Sequence, residues 1–149
     1  MANEYLDNLA ARDMLKVEAP STDEVSGLVR SGAARLEDAK NDSLSLESRF
    51  DLAYNAAHAS SLAALRIAGY RSNDRCLVFQ CLEHTLDLPS EDWRVLDQAH
   101  RKRNLTECEG TVDVNEGLVE AVIRVTEKVA LRVSKVAGIE SSGVHVTAP

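Results

Sequence analysis

"LESRFDLAYNAAHASSLAALRIA", residues 46–68, decides the fold. Phe50, Ala53, Tyr54, Ala57, Ser61, Ala64, Leu65 and Ala68 recur at the three- and four-residue steps of one helix face. Ala56, Ser60 and Ala63 line the other side with small residues. A helix apolar nearly all round lies inside its domain, and small side chains let neighbouring helices approach closely. The stretch therefore predicts the central helix of a bundle, packed on at least two sides. Gly69 follows it and suits the left-handed conformation that commonly ends a helix.

Outward from this helix the pattern stays helical. Residues 3–15 read as a short amphipathic helix carrying Tyr5, Leu6, Leu9 and Leu15. Ser21 and Glu24 have capping-box spacing and open a helix to about Lys40. After the central helix, Ser72 or Asn73 is the expected cap of a helix over about 74–86. Ser90 caps the next, from Glu91 to about Cys108, with Glu91 and Asp92 against its positive end and Gly110 beyond. Asp113 and Glu116 repeat the capping-box spacing before a last helix to about Val136. That helix is rich in valine, which favours strands. Periodicity decides: Leu118, Val122, Val125, Val129, Val133 and Val136 step by three or four. The sequence reads as all-α, an antiparallel up-and-down bundle of about five to six helices, with no strand. Residues 1–138 are the expected single domain and 139–149 a flexible tail.

Composition agrees. The 149 residues suit one domain. Only 4% are aromatic, so alanine and aliphatic packing must carry the core, and seven Gly and three Pro favour long helices. A net charge of -7 argues against broad, non-specific binding to nucleic acid, whose affinity is dominated by phosphate. Any such site must be local, and no DNA partner is expected. No apolar run approaches the roughly 20 residues of a membrane span, and "MANEYLDNLAARD" lacks the basic-then-apolar order of a signal peptide. Three cysteines, Cys76, Cys81 and Cys108, form no disulfide framework and fit a reducing cytoplasm.

The stretch "AHRKRNLTECEG", residues 99–110, carries the candidate chemistry. At about 100° per residue, Trp93, Leu96 and Ala99 define an apolar face that His100, Arg103 and Glu107 continue. Asn104 lies at its edge, and Arg101 and Lys102 point elsewhere. Polar residues on a core-directed stripe need partners, a cleft or an interface. The alternative is a helix whose second half emerges into water.

"RNLTEC" at the end of this penultimate long helix resembles the signature of the HEPN superfamily (higher eukaryote and prokaryote nucleotide-binding domains). "AAHASSLAALRIAGYRS" and "VFQCLEHTL" extend the likeness, toward a bacterial subgroup, over roughly residues 50–110. In the family's pattern an Arg and a polar residue precede a His, and Arg103 and Asn104 match the first two. The resemblance implies a homodimer with the motif at the dimer cleft, no cofactor, and RNA or a nucleotide as ligand. In active members it implies metal-independent RNA cleavage. It also implies a toxin–antitoxin or defence setting, with an antitoxin protein as a further partner. The chemistry asks for an Arg to clamp phosphate and a His to move a proton. Here Cys108 stands at the R-x4-H histidine position, and no His occurs between 101 and 144. An unperturbed thiol, with a pKa of about 8.5, is a poor acid or base at neutral pH. The expected function is therefore binding with weak or no catalysis. Two alternatives stay open: an active ribonuclease using Arg103 and His100, and a structural homodimeric module.

Arg71 and Arg75 flank the turn after the central helix. If that turn reaches the fifth helix, they form one basic patch with Arg103; otherwise they are surface arginines. His58 reads as a hydrogen-bonded core histidine. Cys76, Cys81, His84 and Cys108 lack a zinc-ligand spacing and read as packing residues, so no metal is expected.

Overall fold

The computed structural model describes residues 3–109 and 114–138, with the backbone alone over 106–109. The expected stop at Gly110, the Asp113 cap, the 139–149 tail and the side chains of Glu107 and Cys108 lie outside this description. The described chain is an all-α helical bundle. Its helices are α1 (Glu4–Ala11), α2 (Thr22–Ala39), α3 (Leu46–Ile67), α4 (Arg75–Gln80), α5 (Leu82–Thr85), α6 (Ser90–Glu109) and α7 (Glu116–Ala137). No helix among the described residues is long and apolar enough to cross a membrane.

The reading of α3 holds. Ala53, Ala56, Ala57 and Ala63 are buried, as are Phe50, Tyr54, Ser60 and Ser61. α3 packs against both α2 and α7 and also meets α4. The approach of α2 is close: a Cβ added at Gly32 would fall 2.6 Å from Ser60 Oγ and 3.4 Å from the Ala56 carbonyl oxygen. A side chain at position 32 would wedge the two helices apart. Gly69 has φ of 96° and turns the chain at the end of α3.

Several boundaries differ from expectation for local reasons. α1 stops at Ala11 because Asp13 takes φ of 61°, a left-handed turn that Asp tolerates. The turn tucks Leu15 into a small second core with Leu6, Leu9, Leu65, Tyr70, Leu77, Val78 and Cys81. Asp74, rather than Ser72 or Asn73, caps α4 by accepting the Leu77 N–H. The expected 74–86 helix breaks at Cys81 into α4 and α5. Asn115 caps α7 by accepting the Leu118 N–H. The valine stripe is buried at Val122, Val125, Val129 and Val133, while Val136 is exposed.

A two-stranded ribbon was not expected. β1 (Lys16–Val17) pairs antiparallel with β2 (Tyr70–Arg71). Arg66, fully buried at the end of α3, fastens the chain that follows β1. Its guanidinium donates to the carbonyls of Glu18, Ala19 and Tyr70 and to the Glu24 carboxylate at 2.9 Å.

Candidate functional site

The middle of α6 faces α3 and the start of α4. Leu96 and Ala99 are buried, and the next turn becomes polar while still facing α3. His100 is half-buried, and its Nδ1 shares a 2.8 Å hydrogen bond with the Tyr54 hydroxyl on α3. Their rings lie nearly parallel, 15° apart with centroids at 6.1 Å. On the other side of the imidazole, Asn104 Nδ2 is 3.3 Å from Nε2. Both ring nitrogens are therefore engaged and the imidazole is held in place.

Arg103 reaches across to α3. Its Nη1 lies 2.8 Å from Asp51 Oδ1, and its guanidinium carbon sits 4.9 Å from the centre of the Tyr54 ring. Arg75 arrives from the first turn of α4 and lies 5.4 Å from the centre of the same ring. It also donates to Asn55 Oδ1 at 3.4 Å. Two guanidiniums thus lie over one tyrosine ring, whose electron-rich face attracts cations. Phe79, fully buried, meets Tyr54, His100 and His58 edge-on. His58 is held down to a pKa of about 4, first by burial and then by the positive charge of Arg75 and His100. It is a neutral packing group at the back of the cluster, braced by Phe79.

The structure brings Arg75, Arg103, His100 and Asn104 together but places Arg71 elsewhere. Arg71 pairs with Glu18 at 3.0 Å and Glu24 at 2.7 Å, beside Arg66. Those guanidiniums hold both carboxyls below the usual range, Glu24 through Arg66 first and then Arg71, Glu18 through Arg71 first. Of the three arginines, the structure brings Arg75 and Arg103, not Arg71, to the Tyr54 ring. Arg101 is exposed, as expected, while Lys102 is half-buried.

Tyr54, Asp51 and Asn55 were not foreseen as members of this cluster. Their spacing puts them on one face of α3, and a tyrosine within an alanine-rich buried stripe demands a hydroxyl partner. That demand was the available signal. Of the suggested metal set, Cys81 is buried and its thiol is pushed up to about 12 by that burial. His84 stacks on Tyr5 with ring centroids 3.8 Å apart. Among the described residues no group of three His, Cys, Asp or Glu side chains could hold a metal ion.

Comparison of the chain with protein-family models, with curated proteins and with solved structures gave no match.

Proposed function

We propose that this protein binds RNA or a nucleotide at the Arg75–Tyr54–Arg103 cluster, with His100 and Asn104 beside it, and that it does so as a homodimer with weak or no catalysis. The observation that carries this reading is the convergence of two guanidiniums over one buried ring on a protein of net charge -7. Each guanidinium can offer a phosphate charge-assisted hydrogen bonds, and the shared ring ties both to one place in the fold. Asp51 neutralises part of that charge in the free protein. The HEPN resemblance supports the same residues, Arg103 and Asn104, and supplies the dimer. A toxin–antitoxin or defence role follows from the resemblance alone.

Cleavage by His100 is the second reading, favoured by the ring's fixed orientation between Tyr54 and Asn104. In it, His100 would exchange a proton with the attacking 2′-hydroxyl or the leaving oxygen while Arg103 clamps the phosphate.

The test is RNA binding across a salt series with metal chelated, for the wild type, Arg103→Ala and Arg75→Ala. Each variant is expected to weaken binding about tenfold and to lower the salt slope by about one phosphate contact. Unchanged affinity in both variants refutes the reading. Product analysis in the same tubes, with His100→Ala alongside, decides cleavage.

A further inference from the structure

Beside this cluster, Gln80, Trp93, Arg94, Asp97, Gln98 and Arg101 line an open groove of about 500 Å³ along α6. Its floor is a carboxylate. The Asp97 side chain is only 8% exposed, and it accepts the Cys76 thiol at 3.0 Å on Oδ1 and Arg101 at 2.5 Å on Oδ2. Hydrogen bonds from Cys76 and Arg101, with the charge of Arg101, overcome burial and hold this carboxyl below its ordinary range. Cys76 is no nucleophile here: burial, then the hydrogen bond to Asp97, pushes its thiol up to about 11. Its proton serves to anchor the carboxylate.

An ionised carboxylate is acceptor-only and offers about four lone-pair positions. The thiol and Arg101 use two. Arg101 is 76% exposed, so it can swing off Oδ2 with little loss of packing. What remains is a buried acceptor pair beside a half-buried indole. The indole N–H is held by Glu83 at 2.9 Å, and the exposed Arg94 lies over the ring at 5.8 Å, so a stacked base takes the place of Arg94. Gln80, which reaches Cys76 Sγ at 3.4 Å, and Gln98 lie along the groove.

We infer that this groove binds a guanine base, read by Asp97 and stacked on Trp93. Guanine presents two adjacent donors, N1–H and the N2 amino group, which a carboxylate accepts together. Adenine presents an acceptor, N1, beside its amino donor, and so meets the carboxylate with a lone pair. The glutamine amides are suited to donate to O6 and N7, and a base stacks on an indole face. Arg101, released from Asp97, is then available to the nucleotide's phosphate. The groove adjoins the cluster of the proposed function: the charge of His100 reaches Asp97, and Cys76 and Arg101 are the chain neighbours of Arg75 and His100. The inference rests on that reading and gives it a preference: guanine-containing RNA or a guanosine nucleotide.

Trp93 is the only tryptophan, so its fluorescence reports this groove. The purified protein is titrated with GMP, AMP and N-acetylarginine amide. GMP is expected to quench Trp93 at least about tenfold more tightly than AMP, the discrimination of one charge-assisted contact. Asp97→Asn is expected to abolish that preference with its helical circular dichroism intact. If Asp97→Asn does not fold, Gln80→Ala carries the test, and weaker GMP binding is expected. Equal binding of GMP and AMP overturns the inference. So does a preference that survives in Asp97→Asn, or GMP binding unchanged in Gln80→Ala. Quenching by the arginine amide without quenching by GMP also overturns it and assigns the groove to a guanidinium. Arg103-dependent RNA binding without guanine preference refutes this inference alone. Guanine preference with RNA affinity unchanged in both Arg103→Ala and Arg75→Ala refutes the RNA reading alone.

Discussion

The Tyr54 hydroxyl and His100 Nδ1 lie 2.8 Å apart and join α3 to α6 at the turn where α6 changes from apolar to polar. Tyr54 is 2% exposed. Its hydroxyl fixes the imidazole while its ring receives Arg75 and Arg103. One buried side chain therefore organises the histidine, both arginines and the helix–helix contact.

The hydroxyl and the ring can be separated by mutation. Tyr54→Phe removes the hydrogen bond and keeps the platform, so it should cost about 1 kcal/mol of stability and leave RNA affinity nearly unchanged. Tyr54→Leu removes both and should cost about 2–4 kcal/mol and weaken RNA binding about fivefold through lost cation–π contacts. Urea unfolding and RNA titration measure the pair. Equal RNA affinity in the two variants would show that the ring does not position the arginines.

Asp51 competes with any phosphate for Arg103. It is 60% exposed and pairs with Nη1 at 2.8 Å, and an exposed pair of this kind stabilises by about 0–1 kcal/mol. Asp51→Asn should leave stability within that range and tighten RNA binding about threefold, more at low salt than at high. A titration that shows weaker or unchanged binding would mean that Asp51 is not a competitor.

The central helix was legible because its signal is local: small and apolar residues at helical steps in one uninterrupted stretch. The polar turn at His100 and Arg103 was legible for the same reason, since a wheel shows which side of α6 faces inward. What escaped was set by partners distant in sequence. Nothing near Arg66 announces that it will bond carbonyls 47 and 48 residues earlier. The β1–β2 ribbon is two residues per strand, too short for any alternating pattern. Arg71 and Arg75 looked equivalent in the sequence, and only the fold gives one to Glu18 and Glu24 and the other to Tyr54. Asp97 and Cys76, 21 residues apart, meet because α4 packs on α6.

His58 should make stability depend on pH. Its pKa is about 4 in the fold against 6.5 in the free side chain, so the unfolded chain takes up its proton first as pH falls. The stabilising contribution is full above about 6.5 and is lost as pH falls toward 4. The loss is on the order of 2–3 kcal/mol, since each unit of difference is worth about 1.4 kcal/mol and relaxation reduces the total. His58→Phe, which cannot take up the proton, should flatten the decline between pH 7 and 4.5. Urea midpoints for the two proteins across that window measure it, and parallel curves would show that His58 is not the titrating group.

The two arginines at the ribbon should differ sharply. Arg66 is 1% exposed and bonds three backbone carbonyls together with Glu24, whereas the Arg71 side chain is 30% exposed. Arg66→Met keeps much of the bulk but strands those carbonyls and removes one of the two guanidiniums on Glu24. It should cost about 3–5 kcal/mol, the range for breaking a buried charged network. Arg71→Met should cost about 1 kcal/mol or less. The pair at Glu24 also predicts acid sensitivity: a carboxyl held low in the fold stabilises above its ordinary range, and that stability is lost as pH falls through the folded value. In Arg66→Met this acid-dependent part should shrink. Urea unfolding at neutral and acid pH tests both statements, and equal losses from the two substitutions would mean that Arg66 is not what fastens the chain after β1 to the end of α3.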